Sequence, residues 1–359
     1  MKSLVFVCET VAFGVGKHFI DLVSGLSVDE RFDIHVIISS RRSNDAFIGL
    51  LQRLDINLHF QEMERDISWR DFTSLLAIFR VVRSVGSRSD QLLIGVSSKG
   101  GALVRILALL FGYYAVYIPH ASPVSMASGF KLFIYTAIER VLSLRSFYAV
   151  ATSAMEFSTV EKFISRRKIT LIQNGLSKSD IKLLQNRRAD HSIGETVRLA
   201  FIGRLDDQKN PIRALMVTHS LSQSIEVELT FYGDGPLKNC VEQTAESLGL
   251  NISMMGYHPF AEICADFDIL LNTSNYEGSP YLFLEAAAIN LPVITTKVGG
   301  AIELKDRGIP THLLQENYDF TEIANFIRAN TGKGHSCKYT AVQYSSDEMV
   351  REYADLFVK

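Results

Sequence analysis

The sequence has few cysteines and no long apolar run, and both absences argue against whole classes of protein. Its 359 residues include four widely separated cysteines, Cys8, Cys240, Cys264 and Cys337, with no CxxC pair or Cys/His cluster. Neither a disulfide framework nor a zinc site is indicated, and we expect a reducing, cytoplasmic setting. No apolar run reaches the roughly 18 residues of a membrane helix. The N-terminal apolar stretch is too short for a secretory signal, so we interpret it as a first strand.

Charge is distributed unevenly along the chain. Residues 1–180 carry 21 basic and 16 acidic residues, a balance of +5, whereas the remainder carries 16 and 23, a balance of −7. A basic half could face phosphate groups or an anionic membrane. A chance difference between two solvated surfaces is the alternative, and we predict no nucleic-acid binding.

Short apolar runs alternate with helical patterns throughout, which predicts an α/β fold with parallel sheets covered on both faces. The runs are continuous, as in strands buried on both faces. The predicted strands are Leu4–Val7, Ile34–Ile38, Leu92–Val96, Ala115–Ile118, Tyr148–Ala151, Thr170–Ile172, Arg198–Ile202, Glu228–Tyr232, Ile252–Met254, Ile269–Asn272 and Pro292–Thr295.

The length of the chain predicts two domains. The polar stretch Gly175–Glu195 is the predicted linker, which gives an N-terminal domain over residues 1–180 and a C-terminal domain over 196–344. The last residues, 345–359, have apolar side chains at helical spacing, so we expect a helix that packs back on the N-terminal domain. Ligands of open α/β sheets bind at the carboxyl ends of the strands, and two such sheets are expected to face an interdomain cleft.

The segment Asn272–Ala301 predicts a phosphate site. A strand leads into a polar turn, where Ser279 can cap the next helix and Pro280 fits its first position. The amides of Tyr281 and Leu282 would then point outward with the helix dipole behind them, an arrangement that binds phosphate.

Two glutamates flank this helix start. Glu277 and Glu285 are eight residues apart, about 12 Å along a helix axis, which is too far for a close acid/base pair. We expect them to accept hydrogen bonds from different hydroxyl groups of one elongated ligand. The alternative is a solvated turn residue and a buried cap partner.

The segment Phe201–Pro211 places two cations at a strand end. Gly203 permits close backbone approach, and Arg204 and Lys209 suit a diphosphate, the first as a fork and the second as a point charge. A surface cation pair balanced by Asp206 and Asp207 is the alternative.

These segments resemble the retaining glycosyltransferases of the GT-B fold, specifically the glycogen-synthase-like family 4, in the right order over nearly the whole chain. EGSPYLFLE carries the family's glutamate–seven–glutamate pattern, GRLDDQK the phosphate pair, FYGDGP the glycine turn and LIQNGLS the domain-closing turn. GYHP, which includes Tyr257, is similar to the segment whose backbone faces the nucleobase. The resemblance implies two Rossmann-like domains.

In the N-terminal half the resemblance is weaker. Phe13-Gly14-Val15-Gly16-Lys17 stands where the family has a glycine-rich loop, which implies that Gly14 and Gly16 contact the donor. GVSSKGGALVR followed by YIPHASP looks like bacterial polysaccharide-assembly members, and the resemblance implies that His120 faces the donor sugar. A structural histidine is the alternative.

Two motifs typical of other sites do not predict them here. Asp266-Phe267-Asp268 has the DxD pattern of metal-binding glycosyltransferases but precedes a buried strand, so we expect no metal. Gly14-x-Gly16 would need a glycine at position 19 for dinucleotide binding, and Phe19 is there.

The resemblance implies a metal-independent, retaining hexosyltransferase that needs no cofactor. The donor is a nucleotide-sugar, with UDP favoured over GDP, and the acceptor is a lipid-diphosphate-linked glycan of bacterial O-antigen or capsule synthesis. Arg204, Lys209 and the helix N-terminus would stabilise the leaving diphosphate, Glu277 and His120 would position the sugar, and Glu285 would bind the ribose. A nucleotide-sugar 2-epimerase and a non-catalytic nucleotide-sugar-binding partner protein are the alternatives.

A segment beginning at Phe130 predicts weak association with the inner face of the cytoplasmic membrane. It mixes large apolar residues with Lys131, Arg140 and Arg145, as interfacial helices do. In the alternative interpretation its apolar side chains face the domain core, namely Leu132, Phe133, Ile138 and Leu142. The two are compatible if only Phe130, Lys131 and Tyr135 point outward.

Overall fold

The computed structural model describes residues 1–64, 68–120, 124, 129–144, 147–189, 191, 194–316, 319–331 and 345–358. The chain forms two units. The first comprises Met1–Ser177 together with the C-terminal helix, and the second begins at Lys178. Each unit is an α/β layer structure built on one parallel sheet, as the sequence predicts.

The first unit has a seven-stranded sheet in the order β3-β2-β1-β4-β5-β6-β7. Its helices cover both faces, because alternate residues of the central strand enter two separate apolar clusters. The strands are β1 (Lys2–Cys8), β2 (Phe32–Ile38), β3 (Asn57–Phe60), β4 (Gln91–Val96), β5 (Tyr114–Ile118), β6 (Phe147–Ala151) and β7 (Ile169–Leu171). The helices are α1 (Phe13–Ser27), α2 (Asp45–Leu51), α3 (Arg70–Val85), α4 (Ser97–Phe111), α5 (Gly129–Leu142) and α6 (Ala154–Val160).

The second unit has a six-stranded sheet in the order β10-β9-β8-β11-β12-β13. The strands are β8 (Val197–Ile202), β9 (Val227–Tyr232), β10 (Ile252–Gly256), β11 (Ile269–Asn272), β12 (Val293–Thr296) and β13 (Thr311–Leu314). The helices are α7 (Lys178–Arg188), α8 (Pro211–Leu221), α9 (Lys238–Ser247), α10 (Phe260–Ile263), α11 (Tyr281–Ala288), α12 (Ala301–Asp306) and α13 (Phe320–Asn330), and α14 (Ser346–Val358) returns to the first unit.

All eleven predicted strands are confirmed, and the sequence analysis missed two. The missed strands, β3 and β13, are four residues long and lie at sheet edges. Edge strands are buried less than central ones, so they lack a continuous apolar run. The segment predicted to be a linker contains α7, whose Arg188 donates to the carbonyls of Cys264 and Phe267 at 2.6 and 2.7 Å.

Helix α14 completes the apolar core of the first unit. Tyr353 and Phe357 are fully buried there, and Phe357 packs edge-on against Phe6 of the central strand. Gly25 of α1 allows the close approach, since a Cβ at that position would lie 2.5 Å from Val350. The N-terminus of α14 is fixed by a 2.9 Å hydrogen bond from the Ser346 amide to the carbonyl of Leu176.

Helix α5 turns much of its apolar side outward, and of the four residues that the alternative interpretation places in the core only Leu142 is buried, whereas Leu132, Phe133 and Ile138 are not. All three are exposed, and Phe133 is 71% exposed. Among the α5 residues only Glu139 and Leu142 are buried. Tyr135 packs against the core, so the condition under which the two interpretations would be compatible, that only Phe130, Lys131 and Tyr135 point outward, is not met.

The reason is a buried ion pair on the inward side of α5. Arg105 of α4 donates from both terminal nitrogens to the Glu139 carboxylate at 2.5 and 3.1 Å. Its guanidinium lies 4.0 Å from the centroid of the Tyr117 ring. Glu139 therefore fixes which side of α5 faces the core, and most apolar side chains of the helix are exposed to solvent.

No described helix is long and apolar enough to span a bilayer.

Phe357→Ala should lower the free energy of unfolding of the first unit by about 3–5 kcal/mol, because it leaves a cavity in the core. Val358→Ala, on the same helix but half exposed, is the matched control and should change it by less than about 0.5 kcal/mol. Chemical denaturation monitored by circular dichroism measures both. Equal effects of the two changes would show that α14 does not close this core.

Candidate active site

The second unit has its topological switch point between β8 and β11. The strand order reverses there, because β9 and β10 lie on one side and β12 and β13 on the other. Ligands of open α/β sheets bind in the crevice outside the carboxyl ends of such strands. The loops that follow β8 and β11 are therefore where a ligand site is expected.

An ion pair joins these two loops. The Lys209 ammonium lies 2.6 Å from Glu277 Oε1, and the two side chains are only 18% and 9% exposed. Backbone contacts hold the same loops together, with the Asn275 amide donating to the carbonyl of Gln208 at 2.8 Å. The structure thus brings together two predicted site residues that are 68 positions apart.

Arg204 lies beside this pair in a more open position. Its guanidinium contacts Asp206 at 2.7 Å, and 43% of the side chain is exposed. For Arg204, this contact agrees with the alternative interpretation, in which Arg204 and Lys209 are surface cations balanced by Asp206 and Asp207. Lys209 does not follow that interpretation, because its ion-pair partner is Glu277, although its amide donates to Asp206 at 3.1 Å.

Glycines permit the loops to touch. Gly233, after β9, has a φ of +146°, and a Cβ there would lie 1.9 Å from the carbonyl oxygen of Gly203. Gly299, after β12, would place a Cβ 1.9 Å from the carbonyl oxygen of Gly278. Larger residues at these positions would push the Arg204 and Glu277 loops out of place.

Helix α11 begins at Tyr281, one residue later than expected. Its N-cap is Pro280, with extended ψ of 133°, and no side chain caps the helix. The prediction of Ser279 as N-cap and Pro280 as first helical residue is therefore wrong by one position. Leu282 lies in the first turn, where the helix dipole favours an anion, and α11 follows the loop after the carboxyl end of β11.

The two glutamates lie on different elements. Glu277 precedes α11, and Glu285 is half-buried in its second turn. Their separation is therefore not the distance along one helix that the sequence suggested. Tyr257, directly after β10, is 76% exposed beside the bridge between Gly256 and Gly233.

The DxD motif has a structural role. Asp268 is buried and accepts hydrogen bonds from the Arg198 amide and guanidinium at 2.8 to 3.2 Å. His191 lies 3.0 Å from the same carboxylate. Among the described residues no group of histidine, cysteine and acidic side chains is arranged to hold a metal ion.

In the first unit, Gly14 and Gly16 are helical, which corrects the predicted glycine loop. Helix α1 begins at Phe13, and the loop after β1 is formed by the four preceding residues. Gly16 is required for packing, because a Cβ there would lie 2.7 Å from the ring of Phe47.

His120 lies two residues beyond β5 in a left-handed conformation, with φ of +48°. Its Nε2 is buried and has no hydrogen-bond partner among the described residues. The ring meets His18 of α1 edge-on, with centroids 4.3 Å apart. Burial lowers the pKa of His120 to about 4, so the ring is neutral near pH 7. Residues 121–123, which complete the YIPHASP motif, lie outside the described residues.

The sequence analysis missed a polar network at the switch point of the first unit, between β1 and β4. Glu9 is buried there and accepts hydrogen bonds from Ser97 Oγ and the Lys99 amide at 3.1 and 2.9 Å. Lys99 is itself buried against Asp71 at 2.7 Å. The signal in the sequence is an acidic residue directly after a predicted strand, and its partners come from distant segments.

Residues 196–329 match the model of the family "Glycosyl transferases group 1". This match lies wholly within the second unit. Over 85% of this chain and 84% of its own, the O-antigen biosynthesis glycosyltransferase WbnH of Escherichia coli is 23% identical. An E. coli UDP-Gal:alpha-D-GlcNAc-diphosphoundecaprenol alpha-1,3-galactosyltransferase is 24% identical over 72% of this chain and 70% of its own.

The two-unit fold is that of GT-B glycosyltransferases. The Anabaena HepE structure in complex with UDP and glucose superimposes with a TM-score of 0.75 over 100% of both chains, at 17% identity. The predicted fold class is confirmed, and the group 1 match covers the half of the chain that holds the Lys209–Glu277 pair.

The depressed pKa of His120 predicts that the first unit loses stability in acid. An unfolded histidine has a pKa near 6.5, so the unfolded state binds more protons than the folded state between pH 6.5 and 4. Stability should therefore fall by at most about 3 kcal/mol over that range. His120→Asn, which tolerates positive φ, should flatten this dependence, with the slope due to His18 remaining.

Denaturation midpoints from pH 4.5 to 7.5 measure the effect. His219→Asn, on α8 of the second unit, is the control and should leave the profile unchanged. An unaltered slope in His120→Asn would contradict the placement of this ring in the core.

Proposed function

We propose that the protein is a retaining glycosyltransferase that moves a sugar from a UDP-sugar to a glycan acceptor of bacterial surface polysaccharide synthesis. The observation that carries this proposal is the Lys209–Glu277 pair with Arg204 at the switch point of a group 1 glycosyltransferase domain. O-antigen synthesis is the role in the name of WbnH, which matches most of the chain.

The charges in the second unit suit a nucleoside diphosphate leaving group. Lys209 and Arg204 would neutralise the diphosphate, and the first-turn amides of α11 would add fixed dipoles. Lys209 contacts Glu277 through Oε1 at 2.6 Å, so Oε2 would accept a hydrogen bond from a sugar hydroxyl. Glu285, in the second turn of α11, would bind the ribose. UDP is proposed because HepE, with the same fold, binds UDP and UDP-glucose.

The first unit supplies the remaining proposed contacts. His120 is neutral at pH 7, so it can exchange a hydrogen bond with a sugar hydroxyl without adding a third positive charge to those of Arg204 and Lys209. Gly14, exposed in the first turn of α1, would let the donor approach the helix N-terminus, whereas the space beside Gly16 is filled by Phe47.

The donor requirement is tested by binding UDP-sugars and GDP-sugars side by side, followed by turnover with and without acceptor. The proposal expects UDP-sugar binding and acceptor-dependent release of UDP. Conversion of the donor sugar to its 2-epimer without acceptor would establish the epimerase alternative. Binding without turnover in the presence of lipid-linked acceptors would establish the non-catalytic one.

No metal is needed in this mechanism, because fixed cations and helix amides stabilise the developing charge. Turnover should therefore survive EDTA unchanged. A complete loss that Mn²⁺ or Mg²⁺ restores would contradict metal independence.

Arg204→Ala and Lys209→Ala should each lower kcat by roughly 100- to 1,000-fold, as the loss of one preorganised charge donor does. Lys305→Ala removes an exposed cation of α12 in the same unit and should leave kcat within about twofold, as expected of a surface change. Initial rates of UDP release and thermal midpoints are measured together. Normal turnover in either site variant would refute the assignment.

The proposed acceptor is a glycan linked to a lipid diphosphate, reached from the membrane surface. The E. coli galactosyltransferase, whose match to this chain spans 70% of its own length, has a diphosphoundecaprenol-linked sugar in its name. In this chain the support is the outer face of α5, which we define as Phe130, Phe133, Ile134, Ala137 and Val141, together with the following Leu144. These residues follow the i, i+3, i+4, i+7 spacing of one helix face, and each is exposed.

Lys131 and Arg140 flank this outer face, so apolar groups can insert while cations contact anionic headgroups. Arg145, the third predicted cation, lies outside the described residues. The protein is therefore proposed to associate with anionic membranes through α5.

Phe130→Ser with Phe133→Ser should weaken binding to anionic vesicles at least tenfold, because each buried phenyl group contributes about 1.5–3 kcal/mol. Trp69→Ser with Phe72→Ser is the matched control, since these rings of the same unit are equally exposed, at 77% and 66%. Vesicle co-sedimentation at low and high salt decides. If both double variants lose vesicle binding equally, the binding is due to nonspecific attraction of exposed aromatic rings and not to α5.

A further inference from the structure

A cavity of about 480 Å³ opens beside the inward edge of α5. It is lined by Leu132, Thr136 and Arg140 of α5, Thr159 and Lys162 at the end of α6, and Val124. The lining therefore combines apolar side chains, two hydroxyl groups and two cations, one cation from α5 and one from the end of α6.

Both cations in this cavity lack an ionic partner. Neither Arg140 nor Lys162 forms an ion pair with any residue that the structure describes. Ion pairs are available to neighbouring residues, since Glu161 contacts Arg166 and Glu139 contacts Arg105. Two like charges facing one cavity repel each other, and an anion between them would remove that repulsion.

The two threonines favour a ligand that also carries hydroxyl groups. Thr136 Oγ1 donates to the carbonyl of Leu132 at 2.7 Å, and Thr159 Oγ1 donates to that of Met155 at 3.0 Å. Their protons are engaged, so their lone pairs remain to accept hydrogen bonds. The cavity combines two positive charges with two hydrogen-bond acceptors.

We infer that this cavity binds the headgroup of an anionic phospholipid, with the phosphodiester between Arg140 and Lys162 and headgroup hydroxyls at Thr136 and Thr159. The apolar side at Leu132 continues into the exposed surface of α5, where the acyl chains would lie. The inference rests on the proposed membrane docking of α5 and adds a specific headgroup site to it.

The site is tested in solution with short-chain lipids below their critical micelle concentration. Methyl NMR of Thr136, Thr159 and Leu132 is followed in the full-length protein during titration with dihexanoyl phosphatidylglycerol, without donor or acceptor. Saturable shifts of these methyl groups are expected. Dihexanoyl phosphatidylcholine and inorganic phosphate should shift them at least tenfold less at equal concentration.

Arg140→Gln with Lys162→Gln should abolish these shifts and weaken binding to phosphatidylglycerol vesicles roughly thirty-fold, from about 1 kcal/mol per basic residue. Arg53→Gln with Arg80→Gln removes the same charge from exposed positions of the same unit and should weaken it less than threefold.

Equal losses in the two double variants would overturn the site in favour of general charge attraction. Shifts of the same size with inorganic phosphate would overturn the lipid assignment. Vesicle binding that depends on Phe130 and Phe133 but not on Arg140 and Lys162 would leave α5 docking standing and refute the cavity. These experiments measure lipid binding and not turnover. A failure of the proposed glycosyl transfer would therefore be detected in a different assay and can be distinguished from a failure of the lipid site.

Discussion

The ion pair between Lys209 and Glu277 is the contact on which the candidate site depends. It links the loops after β8 and β11 where the strand order reverses, and both side chains are largely removed from water. Breaking such a pair leaves an uncompensated charge, which is costly, so each residue fixes the other. The glycine contacts at Gly233 and Gly299 follow from the same constraint, because the loops must touch for the pair to form. A diphosphate and a sugar hydroxyl would thus meet charges already in place, which is what electrostatic preorganisation requires.

The strand order reverses once in each sheet, between β1 and β4 and between β8 and β11, but the residues at these two switch points differ in their exposure to water. In the second unit the switch point collects exposed and half-buried charge. In the first, the corresponding strand ends hold the buried Glu9 network and the neutral His120, both withdrawn from water. Among the charged residues outside that switch point, Arg140 of α5 and Lys162 line a cavity together with Leu132. A protein that takes a soluble, charged donor and a membrane-linked acceptor needs both kinds of surface.

Much of this fold could be predicted from the sequence, because continuous apolar runs mark buried strands wherever both faces of a sheet are covered. The edge strands β3 and β13 could not, since exposure removes that signal. Lys209 and Glu277 were each identified by their strand-end positions, but their pairing depends on β8 and β11 being neighbours, which periodicity does not reveal. The start of α11 was misplaced by one residue because Pro280 is compatible with both the cap and the first turn. The side of helix α5 that faces the core could not be predicted for a different reason. Its pattern shows an apolar face, but only the buried partner of Glu139, Arg105, decides which side of the helix faces the core.

The central claim is retaining transfer at the Lys209–Glu277 site, and the anomeric configuration of the product tests it most directly. A ¹³C-labelled UDP-sugar is incubated with the protein and a lipid-diphosphate-linked acceptor, and the one-bond C1–H1 coupling of the product is read by NMR. The account predicts that the new glycosidic bond has the same anomeric configuration as the donor. An inverted configuration at C1 would contradict it.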